Sequence, residues 1–141
     1  SAGADEMALN MISASDKLLI VLVNEPTSFM DAFTLIKVCN LELKFKEFCI
    51  VTNMVSSEHH GKLVFEKFKE IVTKFYDVNL NHIGSLLNMK EIKNSVLKKQ
   101  PIVLNKQNKN IISLFNRLLN NVNNASKNTH NGIKFFNNSI K

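Results

Sequence analysis

Asn53 is the residue of this chain whose type and place suit recognition chemistry. It lies at the end of the apolar run Phe48–Met54 (FCIVTNM), which reads as a β-strand. Ligands of open α/β sheets bind beyond the carboxyl ends of the strands. A carboxamide there offers a donor beside an acceptor, which matches the N6 and N7 edge of adenine. Taken alone, Asn53 also reads as an ordinary turn asparagine. Residues for bond-breaking chemistry are scattered. There are four glycines, Gly3, Gly61, Gly84 and Gly132, and no G-x-x-x-x-G-K-S/T loop or dinucleotide fingerprint can be assembled from them. No serine sits in a nucleophile elbow. His59 and His60 are neighbours that diverge around a helix, and with His82 and His130 they make no metal spacing. The carboxylates form no pair suited to acid and base roles. Cys39 and Cys49 lie in apolar segments and read as buried thiols of a reducing compartment. No catalytic residue and no metal ligand is expected.

The elements that must position Asn53 follow from hydrophobic pattern. Lys17–Val23 (KLLIVLV) is a short unbroken apolar run, the mark of a parallel strand buried on both faces. Ser28 and Asp31 have capping-box spacing and predict a helix to about Leu41, burying Phe29, Ala32, Phe33, Ile36 and Cys39. After the Asn53 strand, Ser56 or Ser57 starts a long helix to about Tyr76. Its stripe of Val64, Phe65, Phe68, Ile71, Val72 and Phe75 has helical spacing. His82–Leu86 reads as a weaker third strand. Met89–Lys99 reads as a short helix stopped by Pro101. Asn108–Asn123 is an amphipathic helix on Ile111, Ile112, Phe115, Leu118, Leu119 and Val122. Residues 1–14 have room for one helix at most.

This alternation predicts an α/β fold: half of a doubly wound, mostly parallel sheet with flanking helices. Three strands are few for such a sheet, and the first needs cover that the preceding residues do not supply. The chain of 141 residues suffices for one domain. It contains no apolar run long enough to span a membrane and does not open like a signal peptide.

Charge divides the chain unevenly. Up to Gln100 acidic and basic residues balance. Beyond it there is no Asp or Glu, so the whole formal charge of +6 falls on Lys106, Lys109, Arg117, Lys127, Lys134 and Lys141. A neutral body with a basic end suggests an anionic partner, either a membrane surface or nucleic acid. The alternative is a solvated Asn-rich tail. Residues 1–124 read as the domain, 125–131 as a polar linker and 132–141 (GIKFFNNSIK) as an amphipathic helix. In that helix Ile133, Phe136 and Ile140 share a face with Phe135 near its edge, the form of an interfacial membrane helix.

Read in order, NEPTSFMDAFTLIKV (24–38), VTNMV (51–55), HGKLVFEKF (60–68), Gly84 and the VLKKQP stretch ending at Pro101 resemble the MinD/ParA-type P-loop ATPases. Within that family they are most similar to the flagellar-number regulators of the FlhG (FleN/YlxH) group. The resemblance covers about residues 1–122. It implies that Ser1-Ala2-Gly3 follows a switch II aspartate. It also implies that the phosphate-binding loop, its strand and its helix lie upstream, with the residues that hold phosphates and Mg²⁺. It makes Asn53 an adenine contact, with Gly3 in the switch II region. Glu25, Asp31 and Lys37 become dimer and regulator surface, and Gly132–Lys141 a membrane-targeting helix. Where the family has a Pro-x-Asp turn, this chain has Leu87 and Met89. The implied parent binds ATP and Mg²⁺, dimerises, meets flagellar basal-body or regulatory proteins, and sits in the cytoplasm on the inner face of the cell membrane. No tight ATP binding or turnover is expected of this chain alone. A non-enzymatic basic module docking on nucleic acid, or a ParA-like DNA-partitioning piece, is the alternative. It is disfavoured by a single arginine, Arg117.

Overall fold

The computed structural model describes residues 6–104 and 108–128. The elements are α1 (Glu6–Ser13), β1 (Leu19–Val23), α2 (Pro26–Leu43), β2 (Glu47–Val55), α3 (Glu58–Thr73), β3 (Asn79–Leu87), α4 (Lys90–Leu97) and α5 (Lys109–Asn124). A 3₁₀ turn at Ile102–Leu104 lies between the last two. The strands form one sheet in the order β1-β2-β3, parallel throughout. The expected α/β architecture is therefore present, with helices on both faces.

Strand periodicity decides which residues go where. Ile20, Leu22, Phe48, Ile50 and Leu80 turn to one face and pack with Ala32, Ile36 and Cys39 of α2 and Val64, Phe65, Phe68 and Val72 of α3. Burial of each large side chain contributes about 1.5–3 kcal/mol, so this layer is the main core. Leu9 and Ile12 of α1 pack at its margin. The other face holds a smaller cluster of Cys49, Val51, Ile83 and Leu118, the last from α5.

Here the expectation for the first strand needs correction. Leu19 and Val21 lie on the second face but remain 44% and 54% exposed, since among the described residues the cluster under α5 takes in residues of β2 and β3 and neither of these two. The unbroken apolar run is buried on one face only. The third helix ends at Thr73, short of the expected Tyr76, and Ile71, Phe75 beyond its end, and Leu119 of α5 are likewise exposed.

The start of α2 also differs from the capping-box expectation. The helix begins earlier, with Pro26 in its first turn and Glu25 at the N-cap without a side-chain cap bond. Proline suits that position because its missing N–H has no intrahelical partner there. Ser28 serves another purpose: its hydroxyl accepts a 3.0 Å hydrogen bond from the Val23 amide and ties the end of β1 to α2. At the far end Lys44 takes a left-handed conformation (φ 59°), and the Phe45 amide donates to the Cys39 carbonyl at 3.2 Å. That closure turns the chain into β2. The start of α3 follows expectation, since Ser57 caps it by accepting from the His60 amide at 3.0 Å.

The end of α5 is tied to the beginning of the sheet. Lys17 Nζ donates to the carbonyls of Val122 and Asn123 at 2.6 and 2.7 Å. A cation at a helix C-terminus meets the negative end of the dipole and satisfies carbonyls that have no intrahelical partner.

Candidate functional site

Asn53 stands opposite Val23 in the register of β1 and β2, so it lies at the carboxyl end of both strands. Its placement depends on a local break in the ladder. Thr52 pairs with Ser85 and Val55 with Leu87, so Asn53 and Met54 together oppose one residue of β3. Such a bulge bends the strand and re-aims a side chain. Met54 takes a positive φ of 57°. The Asn53 side-chain oxygen accepts from the Met54 amide at 2.9 Å and supports that turn.

This bond bears on whether the residue suits a base. A carboxamide oxygen has two acceptor sites. One is taken by Met54, which leaves one together with the amide donors. That set still fits an edge offering a donor and an acceptor. The turn-asparagine reading therefore holds, and the remaining donor and acceptor are what base recognition would need.

Val23 leads directly to the rest of the site. The Glu25 amide donates to the Val23 carbonyl at 2.8 Å, and the Glu25 carbonyl accepts from Phe29 at 3.1 Å. Glu25 is exposed at the head of α2, close in sequence to the β1 end that Asn53 faces. Asp31 and Lys37 are exposed on the same helix but do not join it in one patch. Six residues at about 100° each place them roughly 120° apart around α2. Twelve residues from Glu25 to Lys37 span about 18 Å. Gly3 and the tail residues Ile133, Phe135, Phe136 and Ile140 lie outside the described residues.

Thr52, the residue before Asn53, belongs to a polar cluster that the sequence did not reveal. Thr52 Oγ1 and Ser85 Oγ lie 2.8 Å apart, both buried between the sheet and α3. His82 Nε2 lies 3.4 Å from the first and 3.5 Å from the second. The imidazole stacks on Phe65 at 4.8 Å between ring centres. Burial holds its pKa below the ordinary histidine range, against the raising effect of a hydrogen bond with the Gly84 backbone. Gly61 makes the cluster possible. A Cβ there would stand 2.0 Å from Ser85 Oγ and 2.7 Å from Thr52 Oγ1, so α3 approaches the sheet closely only with glycine at this position. Gly84 is fixed by the other face: its φ is +148°, and a Cβ would meet Leu118 at 2.5 Å.

Beside β3 a shallow pocket of about 380 Å³ is lined by His59, Lys62, His82, Arg117 and Asn121. Arg117 is paired with Glu58, and Asn121 donates to the Ile83 carbonyl at 2.7 Å. Asn53 does not line it. Among the described residues no group of three or more His, Cys, Asp or Glu is placed to hold a metal. The two thiols are free and buried on opposite faces of the sheet. Burial, with a smaller contribution from Glu42, pushes Cys39 up to about 11. No helix among the described residues is long and apolar enough to cross a membrane.

No family model matches the chain. Over 102 residues, 72% of its length, it is 28% identical to the antiactivator FleN of Pseudomonas aeruginosa, and the match covers 36% of that protein. The chain thus spans little more than a third of the length of the curated relative it matches. The MinD/ParA-type resemblance read from the residues agrees with this similarity to FleN, and the parallel three-stranded sheet with helices on both faces is the architecture that a part of such a fold requires.

Proposed function

We propose that the chain is the C-terminal portion of a MinD-like ATP-binding protein that regulates flagellar number and placement. In this reading ATP drives dimerisation of the parent, and the dimer associates with the membrane. The similarity to the antiactivator FleN carries the regulatory part of the reading. The position of Asn53, re-aimed by a bulge at the carboxyl ends of β1 and β2, supports adenine contact. Glu25, at the adjoining head of α2, supports a partner surface beside the nucleotide. Phosphate and Mg²⁺ would be held by residues of the parent outside this chain. Ile133, Phe135, Phe136 and Ile140 would enter the headgroup region of anionic lipid, with each nearby lysine adding about 1 kcal/mol.

The test is nucleotide affinity of the full-length parent. Asn53→Ala removes a hydrogen-bond pair of about 1–2 kcal/mol, so ATP affinity falls about five- to thirtyfold while inorganic tripolyphosphate binds as before. Equal ATP affinity in both proteins overturns the adenine role. For the membrane part, a peptide of Ala125–Lys141 binds anionic vesicles weakly at low salt and Phe136→Asp abolishes it. A wild-type peptide that fails to bind removes that claim.

A further inference from the structure

The polar stretch after α5 reads in sequence as a linker, yet its residue Asn128 is only 7% exposed. Its side-chain oxygen accepts from the amides of Lys46 and Glu47, each at 2.9 Å. Its side-chain nitrogen donates to the Glu47 carbonyl at 2.8 Å. Its own amide donates to the Asp16 carbonyl at 2.9 Å. Lys127 lies 3.8 Å from the Asp16 carboxylate. One carboxamide therefore satisfies backbone groups at the very start of β2, as a neighbouring strand would. The Lys17 ammonium clamps the last turn of α5 beside it. Buried backbone groups need such partners, and leaving them unmade is costly.

We propose that Asn128 is a latch that fixes the point at which the following basic stretch leaves the domain. That point lies at the start of the strands, the end of the sheet opposite Asn53. Six residues of β2 separate Glu47 from Asn53, a distance of about 20 Å. The proposal rests on Asn128 and its partners and is independent of the adenine reading.

Limited trypsin cleavage of the whole chain, with hydrogen exchange, tests it. In the wild type, exchange at the Lys46 and Glu47 amides is slow, and fast exchange there overturns the latch. In Asn128→Ala, cleavage after Lys127 becomes at least about tenfold faster, since three closing hydrogen bonds are lost. Cleavage after Lys74 and Lys99 stays unchanged. Unchanged cleavage after Lys127 overturns the proposal, as does an equal acceleration at every site. Should Asn128→Ala fail to fold, Asn128→Asp decides. It keeps the acceptor for both amides but sets a charged oxygen against the Glu47 carbonyl where the donor stood, so faster cleavage after Lys127 is again expected and none overturns the latch.

Discussion

Replacing Gly61 by alanine sets two general effects against each other, and the structure decides the sign. Gly61 lies inside α3, where alanine is ordinarily better than glycine by about 0.8–1 kcal/mol. A Cβ at this position, however, stands 2.0 Å from Ser85 Oγ and 2.7 Å from both Ser85 Cβ and Thr52 Oγ1. These atoms belong to buried side chains on adjacent strands, so they have little room to move. Overpacking of this kind costs about 1–3 kcal/mol, and disturbing the Thr52–Ser85 hydrogen bond adds about 1 kcal/mol. After the helix gain is subtracted, Gly61→Ala is expected to destabilise the chain by about 1–3 kcal/mol. Urea unfolding followed by circular dichroism reads this as a lower midpoint with an unchanged slope. Adding Ser85→Gly should recover part of the loss, since the first clash is with its hydroxyl, and the double-mutant cycle should show coupling above about 0.5 kcal/mol. A neutral or stabilising Gly61→Ala would refute the close approach of α3 to the sheet at Thr52 and Ser85.

Three further outcomes follow from the same geometry. Burial lowers the pKa of His82, so the unfolded chain takes up a proton near pH 6.5 that the folded chain resists. Stability is then full above that pH and falls as pH drops through the window below it. His82→Gln should flatten this slope in pH-dependent melting, and a slope unchanged by the substitution refutes the assignment. Among the described residues β1 is an edge strand, and Leu19 and Val21 leave an apolar strip on it; such edges pair with other chains. Sedimentation should show concentration-dependent self-association of this chain that Val21→Lys suppresses; a wild type that stays monomeric contradicts it. Lys17→Met removes two charge-assisted bonds to the end of α5 and should cost about 1–2 kcal/mol, measured by thermal unfolding, while a change within error sinks the role given to the ammonium.

Much of the fold was legible in the residues because it depends on local periodicity. The apolar runs that became β1 and β2, the Val64–Phe65–Phe68–Val72 stripe of α3 and the Ser57 cap all rest on neighbours within a few positions. The parallel sheet followed from their alternation, and the apolar run before it places Asn53 at a strand end. The contacts that finish the site were not legible. Ser28 had capping-box spacing, but its partner is the Val23 amide across a turn. The exposure of Leu19 and Val21 depends on how far α5 reaches across the second face. Gly61, Thr52, Ser85 and His82 meet only when a helix and two strands are stacked. Asn128 is polar and lies in a polar stretch, and its partners lie more than eighty positions away. The order and type of the elements follow from backbone preference and the period of apolar side chains, and both are local. Which polar groups are buried, and with whom, is set by the packing of segments distant in the chain.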